Sequence, residues 1–312
     1  MIPTALPHGA TARRLEWVHL PPMVRRAVEQ RLGSPVVDAV SQTSGFTPGF
    51  ASVLTTADGG RHFVKAASVV AQRAFAEAYR EEAAKLQTIP AAVPAPRLLW
   101  VLDADDWVVV ATEYVEGRAP ARPWAASDLA AVSAMLVDAA AALTPAPEEL
   151  TTFAEEAADW PDLWSKVRLA YPNLPADRVD EAAALAGRFA EATDGDTLVH
   201  CDVRDDNLIL GESGDVWLCD WNWPVRGAAW IDSLTLLIGP RGDGLDVEAH
   251  LAVHPLLASV PAEDVDAVLA LLAGYFLDSA THPVPPTSPY IREAQRWQGE
   301  VCWDWLSERR GW

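Results

Sequence analysis

Lysine is scarce in this chain: of 24 basic residues only Lys65, Lys85 and Lys166 are lysines, and the rest are arginines. Cysteine is equally rare, and Cys201, Cys219 and Cys302 show neither metal-binding spacing nor the even number of a disulfide framework. A zinc module and a disulfide scaffold are thereby excluded, and reduced thiols in a cytoplasm are the expectation. No apolar run reaches the roughly 18 residues that cross a bilayer. Met1 to Trp17 lacks the apolar stretch of a secretion leader, so neither membrane nor export is expected. Positive charge is lacking overall, since 44 acidic residues leave a net charge of −20. That excludes nucleic acid as a partner, because affinity for a phosphate backbone comes from clustered Lys and Arg. The same acidity suits a cationic small molecule, whose approach an acidic cleft speeds.

What is present is enough chain, 312 residues, for two domain-sized units. Residues 20–32 read as a short amphipathic helix behind Pro21 and Pro22 and ahead of Gly33. Strands follow at 36–40, 51–56 and 62–66, the last two joined by an Ala57-Asp58-Gly59-Gly60 turn. A helix over 70–88, with Ala74, Ala78 and Leu86 as its apolar positions, leads to strands at 97–102 and 107–112 around Asp103 to Asp106. This order predicts an antiparallel sheet with one helix. After a crossover at 113–117 the pattern turns helical, at 127–143, 145–158, 160–170, 175–193, 228–238, 246–258, 261–280 and 288–309. Short strands interrupt it near 198–199, 207–210 and 216–219. The expected fold class is α+β, with a small β-rich unit over 1–115 (its helical extension at 1–35) and a larger, mostly helical unit over 116–312. A cleft between two such units is a usual ligand site.

The segment 198–224, LVHCDVRDDNLILGESGDVWLCDWNWP, carries the chemistry. Asp202 precedes Asn207 by five residues, and a strand-turn-strand then leads to Asp220. Such a hairpin brings its two ends together, so the oxygens of Asn207 and Asp220 can meet at one hard cation. Asp202, just before it, can accept a proton from a hydroxyl that attacks a phosphoryl group. The spacing sets Asp205 and Asp206 aside as loop carboxylates. Cys201 and Cys219 lie beside acidic groups, which disfavour thiolates, so they read as spectators. Most of the 14 tryptophans read as core, Trp217 and Trp230 among them, with Trp160, Trp164, Trp303 and Trp305 as candidate pocket walls.

His200-x-Asp202-x4-Asn207 followed by Asp220 resembles the catalytic loop and metal-binding Asp of kinase-like phosphotransferases. The wording around it resembles the aminoglycoside phosphotransferase and choline kinase-like small-molecule kinases, from about Ser34 to Leu306. The resemblance implies a protein-kinase-like bilobal fold, with a small β-rich N-lobe and a larger helical C-lobe, and an ATP-dependent phosphotransferase, GTP being the alternative donor. It makes Asp202 the catalytic base, Asn207 and Asp220 the ligands of Mg²⁺, and Asp232 the buried carboxylate that braces the loop, with His200 supporting it. Lys65, at a strand end, becomes the phosphate-contacting lysine. A chain so rich in arginine keeps lysine there because a compact ammonium and a planar guanidinium are not interchangeable. Its helix partner is Glu77, Glu81 or Glu82, and Glu82 aligns best. Ser44, Gly45 and Phe46 occupy the place of the nucleotide-covering loop, and the main chain at Glu113 and Val115 that of the adenine hinge.

Two departures qualify the resemblance. The loop lacks the G-x-G-x-x-G form of protein kinases, and Asp220 is followed by Trp221-Asn222-Trp223 with no glycine. Only eleven residues lie between Asp220 and Asp232, which leaves no activation segment for a protein substrate. A small hydroxylated, cationic acceptor is therefore expected, for a monomer or homodimer. A metabolic kinase for an amino alcohol, sugar or homoserine-like hydroxyl is the alternative. A nucleotide-binding pseudokinase is the reading from another class, and the presence of Lys65, Asp202, Asn207 and Asp220 weighs against it.

Overall fold

The computed structural model describes every residue except Pro3, Ala5, His8 and Asp105. The expected turn at 103–106 thus lies partly outside the described residues. The chain opens with β1 (Arg14–Leu15) and α1 (Pro22–Leu32), which ends at Gly33 in the left-handed conformation. Next come β2 (Val36–Ser41), β3 (Gly49–Thr56) and β4 (Arg61–Ser68). Helix α2 (Arg73–Leu86) leads to β5 (Leu98–Ala104) and β6 (Trp107–Glu113). The six strands form one sheet in the order β1-β3-β4-β6-β5, with β2 also on β3. The sheet is mixed, not antiparallel throughout as expected. β2 ends opposite Ser52, and the parallel β1 takes over the same edge at Gly49 and Phe50.

Alternation along β6 explains how the layers stack. Val109 and Ala111 pack with Leu20, Val24 and Val28 of the α1 region, while Val108 and Val110 pack with Ala76, Tyr79 and Ala83 of α2. The N-terminal helix is thus a full layer of the sheet. The buried face of α2 differs from the expected one: Ala74 is exposed and Ala78 half-buried. Alanines recur all round this helix, so they do not mark a face, and the ring of Tyr79 decides it.

The rest is mostly helical: α3 (Ala126–Ala142), α4 (Phe153–Glu156), α5 (Trp164–Ala170), α6 (Ala176–Ala186) and α7 (Phe189–Ala192). Then come β7 (Thr197–Val199), β8 (Leu208–Leu210), β9 (Val216–Leu218) and β10 (Val225–Gly227). The chain closes with α8 (Ile231–Leu236), α9 (Ile238–Gly242), α10 (Val247–Val253), α11 (Ala262–Ala280) and α12 (Ile291–Arg310). The helix expected at 145–158 shrinks to the single turn α4. Pro145 and Pro147 hold the chain extended before it, and Thr152 with Glu155 forms a capping box that starts the helix late. Expected helices at 160–170, 175–193 and 228–238 are likewise divided or shortened. The last starts only at Ile231, after β10, a strand absent from the sequence reading that pairs antiparallel with β7. No helix among the described residues is long and apolar enough to cross a membrane.

Candidate active site

One hairpin and a crossover bring the site together. β8 and β9 pair antiparallel from Leu208–Leu218 to Leu210–Val216, so Asn207 and Cys219 face one another, with the Cys219 amide donating to the Asn207 carbonyl at 2.8 Å. The chain crosses from the sheet at Gly117, where a Cβ would stand 2.5 Å from the Leu210 carbonyl oxygen. Only glycine lets the crossover lie this close to β8. The result is a cleft of about 560 Å³ lined by Ser44, Gly45, Lys65, Glu82, the Glu113–Val115 segment, Asn207 and Asp220, among others.

In that cleft Lys65 Nζ donates to both Glu82 carboxylate oxygens, at 2.8 and 2.9 Å, and to Asp220 Oδ1 at 2.6 Å. Of the three candidate carboxylates on α2 it is Glu82 that meets Lys65, whereas Glu77 pairs with Arg73. Burial works against the charge on Lys65, but Asp220 and Glu82 outweigh it and hold the ammonium above its usual value. Burial raises Glu82 against the pull of Lys65. For Asp220 the same lysine wins, and its carboxyl lies below the usual range. Asp220 has φ +66°, a conformation costly to a residue with a Cβ. Asn222 Nδ2 donates to its Oδ1 at 2.8 Å, a contact not assigned from the sequence.

Buried behind the cleft, Asp232 anchors the loop that carries Asp202 and Asn207. Its two carboxylate oxygens accept the amides of His200 and Cys201, at 2.7 and 2.8 Å, and Cys201 takes φ +66° in doing so. The ring of His200 is buried and its pKa is lowered by that burial. Nδ1 accepts the Asp202 amide at 3.2 Å and Nε2 lies 2.9 Å from the Cys219 carbonyl, which assigns the ring proton to Nε2. Asn207 Nδ2 donates to the Asp202 carbonyl and to Asp202 Oδ2, at 2.9 and 3.0 Å. The carboxylate meant to take a proton is therefore aimed by the residue meant to hold the metal. Desolvation raises the Asp202 carboxyl to about 6, with Asp206 and Asp220 adding to the rise and Arg204 opposing it. Burial also keeps Cys201 and Cys219 protonated, Cys219 being pushed to about 12, and all three cysteines are free.

Several functional groups escaped the sequence reading. Arg204 bridges Asp202 at 2.5 Å and Asp206 at 2.9 Å, so Asp206, set aside as a loop carboxylate, has a buried side chain in the cleft wall. The charge pattern Asp-Val-Arg-Asp-Asp was the available signal. Asp205 does pair outward, with Arg122. The loop Thr43–Phe46 is held from outside: Thr11 Oγ1 donates to the Gly45 carbonyl at 2.6 Å, Arg14 Nη2 to the Ser44 carbonyl at 2.7 Å, and Ser288 Oγ to the Phe46 carbonyl. Phe46 leaves the cleft and lines a second cavity of about 410 Å³ beside the catalytic loop, with Arg204, Asp206, Trp124 and Trp297. At the hinge, Arg61 lies 3.9 Å over the Tyr114 ring, and the Glu113 side chain points away to accept the Arg97 amide.

Among the tryptophans, Trp164 and Trp305 are core and not pocket walls, each donating its indole N–H internally, to the Ala270 carbonyl and to Glu248. Trp217 is half-buried where core was expected, while Trp230 is buried. Trp303 packs between Trp164 and Trp312. Trp160 stacks on Tyr275 with ring centroids 4.0 Å apart, and the Asp202 charge helps raise that tyrosine's pKa behind the main effect of burial. Near the C-terminus, Asp304 and Glu308 are both engaged by Arg241.

Residues 65, 82, 202, 207 and 220, remote in sequence, thus converge in a cleft beneath a sheet and above a helical body. That fold and convergence define a phosphotransferase acting on a hydroxyl group of a small molecule. A model of the phosphotransferase enzyme family matches residues 46–264, well over half of the chain, and the chain belongs to this family. No curated protein matches it. Among solved structures, the aminoglycoside phosphotransferase of Alicyclobacillus acidocaldarius is similar, with 17% identity, 88% of this chain and 92% of that chain covered, and a TM-score of 0.55. The aminoglycoside phosphotransferase APH(4)-Ia, in a ternary complex of a thermostable mutant with ADP and hygromycin B, has 14% identity over 92% of this chain and 98% of that chain, at a TM-score of 0.61. Amicoumacin kinase hAmiN with AMP-PNP and Ca²⁺ has 12% identity over 91% and 93%, at 0.55. At such identities the likeness speaks for a shared fold alone.

Proposed function

We propose that this enzyme moves the terminal phosphoryl group of ATP, or of GTP, to a hydroxyl of a small cationic acceptor in the cytoplasm. The observation that carries the reading is Lys65 Nζ within 2.9 Å of both Glu82 and Asp220, which joins sheet, helix and catalytic segment at one point. Lys65 holds nucleotide phosphates, positioned by Glu82. Amides of the Ser44–Gly45 loop face the same phosphates, and the Glu113 carbonyl and Val115 amide take the adenine. Phe46 supports that loop from the neighbouring cavity. Asp202 accepts the acceptor's proton, Arg204 and Asn207 aim it, and Asp232 and His200 brace the loop.

The donor set fits Mg²⁺. With Asn207 Nδ2 spent on Asp202, its Oδ1 is turned free, and Asp220 Oδ2 accepts no protein hydrogen bond among the described residues. No cluster of three or more His, Cys, Asp or Glu side chains able to hold a metal occurs among the described residues. Mg²⁺ needs none, since it takes one or two protein oxygens and completes its shell with phosphates and water. Bound there, it would neutralise charge on the transferring group.

Support for a cationic acceptor comes from the net charge of −20 and from Glu156, which forms no salt bridge among the described residues and bears on both Cys201 and Tyr275 beside Asp202. The stacked Trp160–Tyr275 pair offers an apolar wall next to it. The test is ADP and GDP release with amine-bearing acceptors and neutral polyols, across a salt series. An amine-bearing best acceptor whose kcat/KM falls with salt is expected. A neutral best acceptor without salt dependence would leave the acidity as a surface property and favour a sugar kinase, and no turnover with bound nucleotide would favour a pseudokinase.

A further inference from the structure

Four basic side chains line the nucleotide cleft: Arg14, Arg61, Lys65 and Arg118. Three are matched by carboxylates, Arg61 by Glu116, Lys65 by Glu82 and Asp220, and Arg118 by Asp128. Arg14 has no carboxylate within salt-bridge distance among the described residues. Its Nη2 donates to one neutral carbonyl, that of Ser44, and its Nε is buried with no hydrogen-bond partner. Arg14 is half-buried, and a buried guanidinium N–H without an acceptor is costly unless an anion meets it. We infer that Arg14 binds the phosphate groups of the nucleotide, as a second phosphate cation supplied by the N-terminal strand from outside the segment that matches the family model. The inference rests on the nucleotide reading of the cleft.

Geometry directs Arg14 at the phosphates and away from the base. Strand β1 runs parallel to β3 with Arg14 opposite Gly49, the first residue of β3, into which the covering loop leads. A Cβ on Gly45 would lie 3.1 Å from Arg14 Nη2 and 4.0 Å from Asp206 Oδ2, so the guanidinium sits across the loop glycine from the catalytic segment. Burial lowers the Arg14 pKa, against the opposing pull of Tyr79, Asp220 and Asp206. Those two carboxylates are near enough to be felt, yet neither reaches it. Among the described residues the amides of Ser44, Gly45 and Phe46 donate no hydrogen bond, while their carbonyls are all held from behind by Thr11, Arg14 and Ser288. Unbonded loop amides and an unmatched guanidinium thus line the same cleft, a pairing suited to an oxyanion.

Calorimetric titration of the whole chain with adenosine, ADP, ATP and inorganic tripolyphosphate tests this. Arg14→Met should bind adenosine within about twofold of the original chain and ATP about 10- to 100-fold more weakly, the range for hydrogen bonds to charged groups. Tripolyphosphate should weaken with ATP. Parallel weakening of adenosine and ATP would overturn the inference and leave Arg14 as a loop brace. An original chain that binds no nucleotide at all would overturn the cleft reading itself, a distinguishable failure. Should the Met variant not fold, the original chain answers by NMR. The Arg14 Nε–H resonance, assigned by its loss in Arg14→Lys, should shift on adding ADP, ATP or tripolyphosphate but not adenosine. No shift with ATP would overturn the inference.

Discussion

Asn207 and Asp220, on the floor of the cleft, and Asp202 and Asp232 beside and beneath them are fixed through their own side chains, whereas the roof from Thr43 to Phe46 is fixed through main-chain carbonyls. The floor is a closed network in which each carboxylate has a named donor. The roof hangs on a few bonds from two outside segments, the N-terminal residues Thr11 and Arg14 and the distant Ser288. A side-chain network demands particular residue types, and a main-chain one demands only that some donor arrive. Substitutions in the floor should therefore alter the chemistry, and those in the roof should alter nucleotide affinity.

The largest effect is expected at Asp202. Asp202→Ala should lower transfer by on the order of 10²-fold or more, the usual loss with a general base, while ATP affinity by calorimetry stays near that of the original chain. Weakened ATP binding with unchanged kcat would blur the line between floor and roof. Next, Asp220→Ala should raise the Mg²⁺ concentration for half-maximal turnover more than Asn207→Ala does, since a carboxylate brings net charge and an amide does not. Equal and unchanged Mg²⁺ curves would remove both from the metal site.

Asp232→Asn turns an amide NH₂ towards the His200 or the Cys201 amide and leaves a buried donor without an acceptor. The expected cost is about 1–3 kcal/mol, visible as a lowered calorimetric midpoint together with a fall in kcat. A fall in KM for nucleotide with unchanged stability would contradict the bracing role. The smallest effect is expected in the roof. Gly45 has φ +82°, so Gly45→Val should cost about 1–2 kcal/mol of strain and raise the nucleotide KM, with kcat at saturating nucleotide changed little. A large loss of kcat there would mean that the roof takes part in the chemistry.

The same contrast explains what could be read from the sequence. Asp202, Asn207 and Asp220 stood out because a fixed spacing between two apolar strands brings oxygens together, and Lys65 stood out because lysine is so scarce. Glu82 needed α2 to be rotated correctly, and the many alanines of that helix left its face open. Arg14, Thr11 and Ser288 act through contacts with main-chain carbonyls, and no residue pattern in the loop announces who will supply them. The indoles of Trp164 and Trp305 were illegible for a different reason: a tryptophan serves equally as core or as pocket wall, and only a partner for its N–H decides. Helix lengths failed where prolines and a late capping box, at 145–155, overrode a run of good helix formers.

Thr11 and Arg13, the loop at 43–46, and Thr287 and Ser288 meet at one junction, and the Ser288 hydroxyl reaches the Phe46 carbonyl across 242 residues of chain. Closing a loop of that length has an entropic cost that no local contact offsets. The junction therefore forms only after the sheet and the helical body are each in register. During refolding, helical circular dichroism should recover first, and the capacity to bind nucleotide should follow as a later kinetic phase.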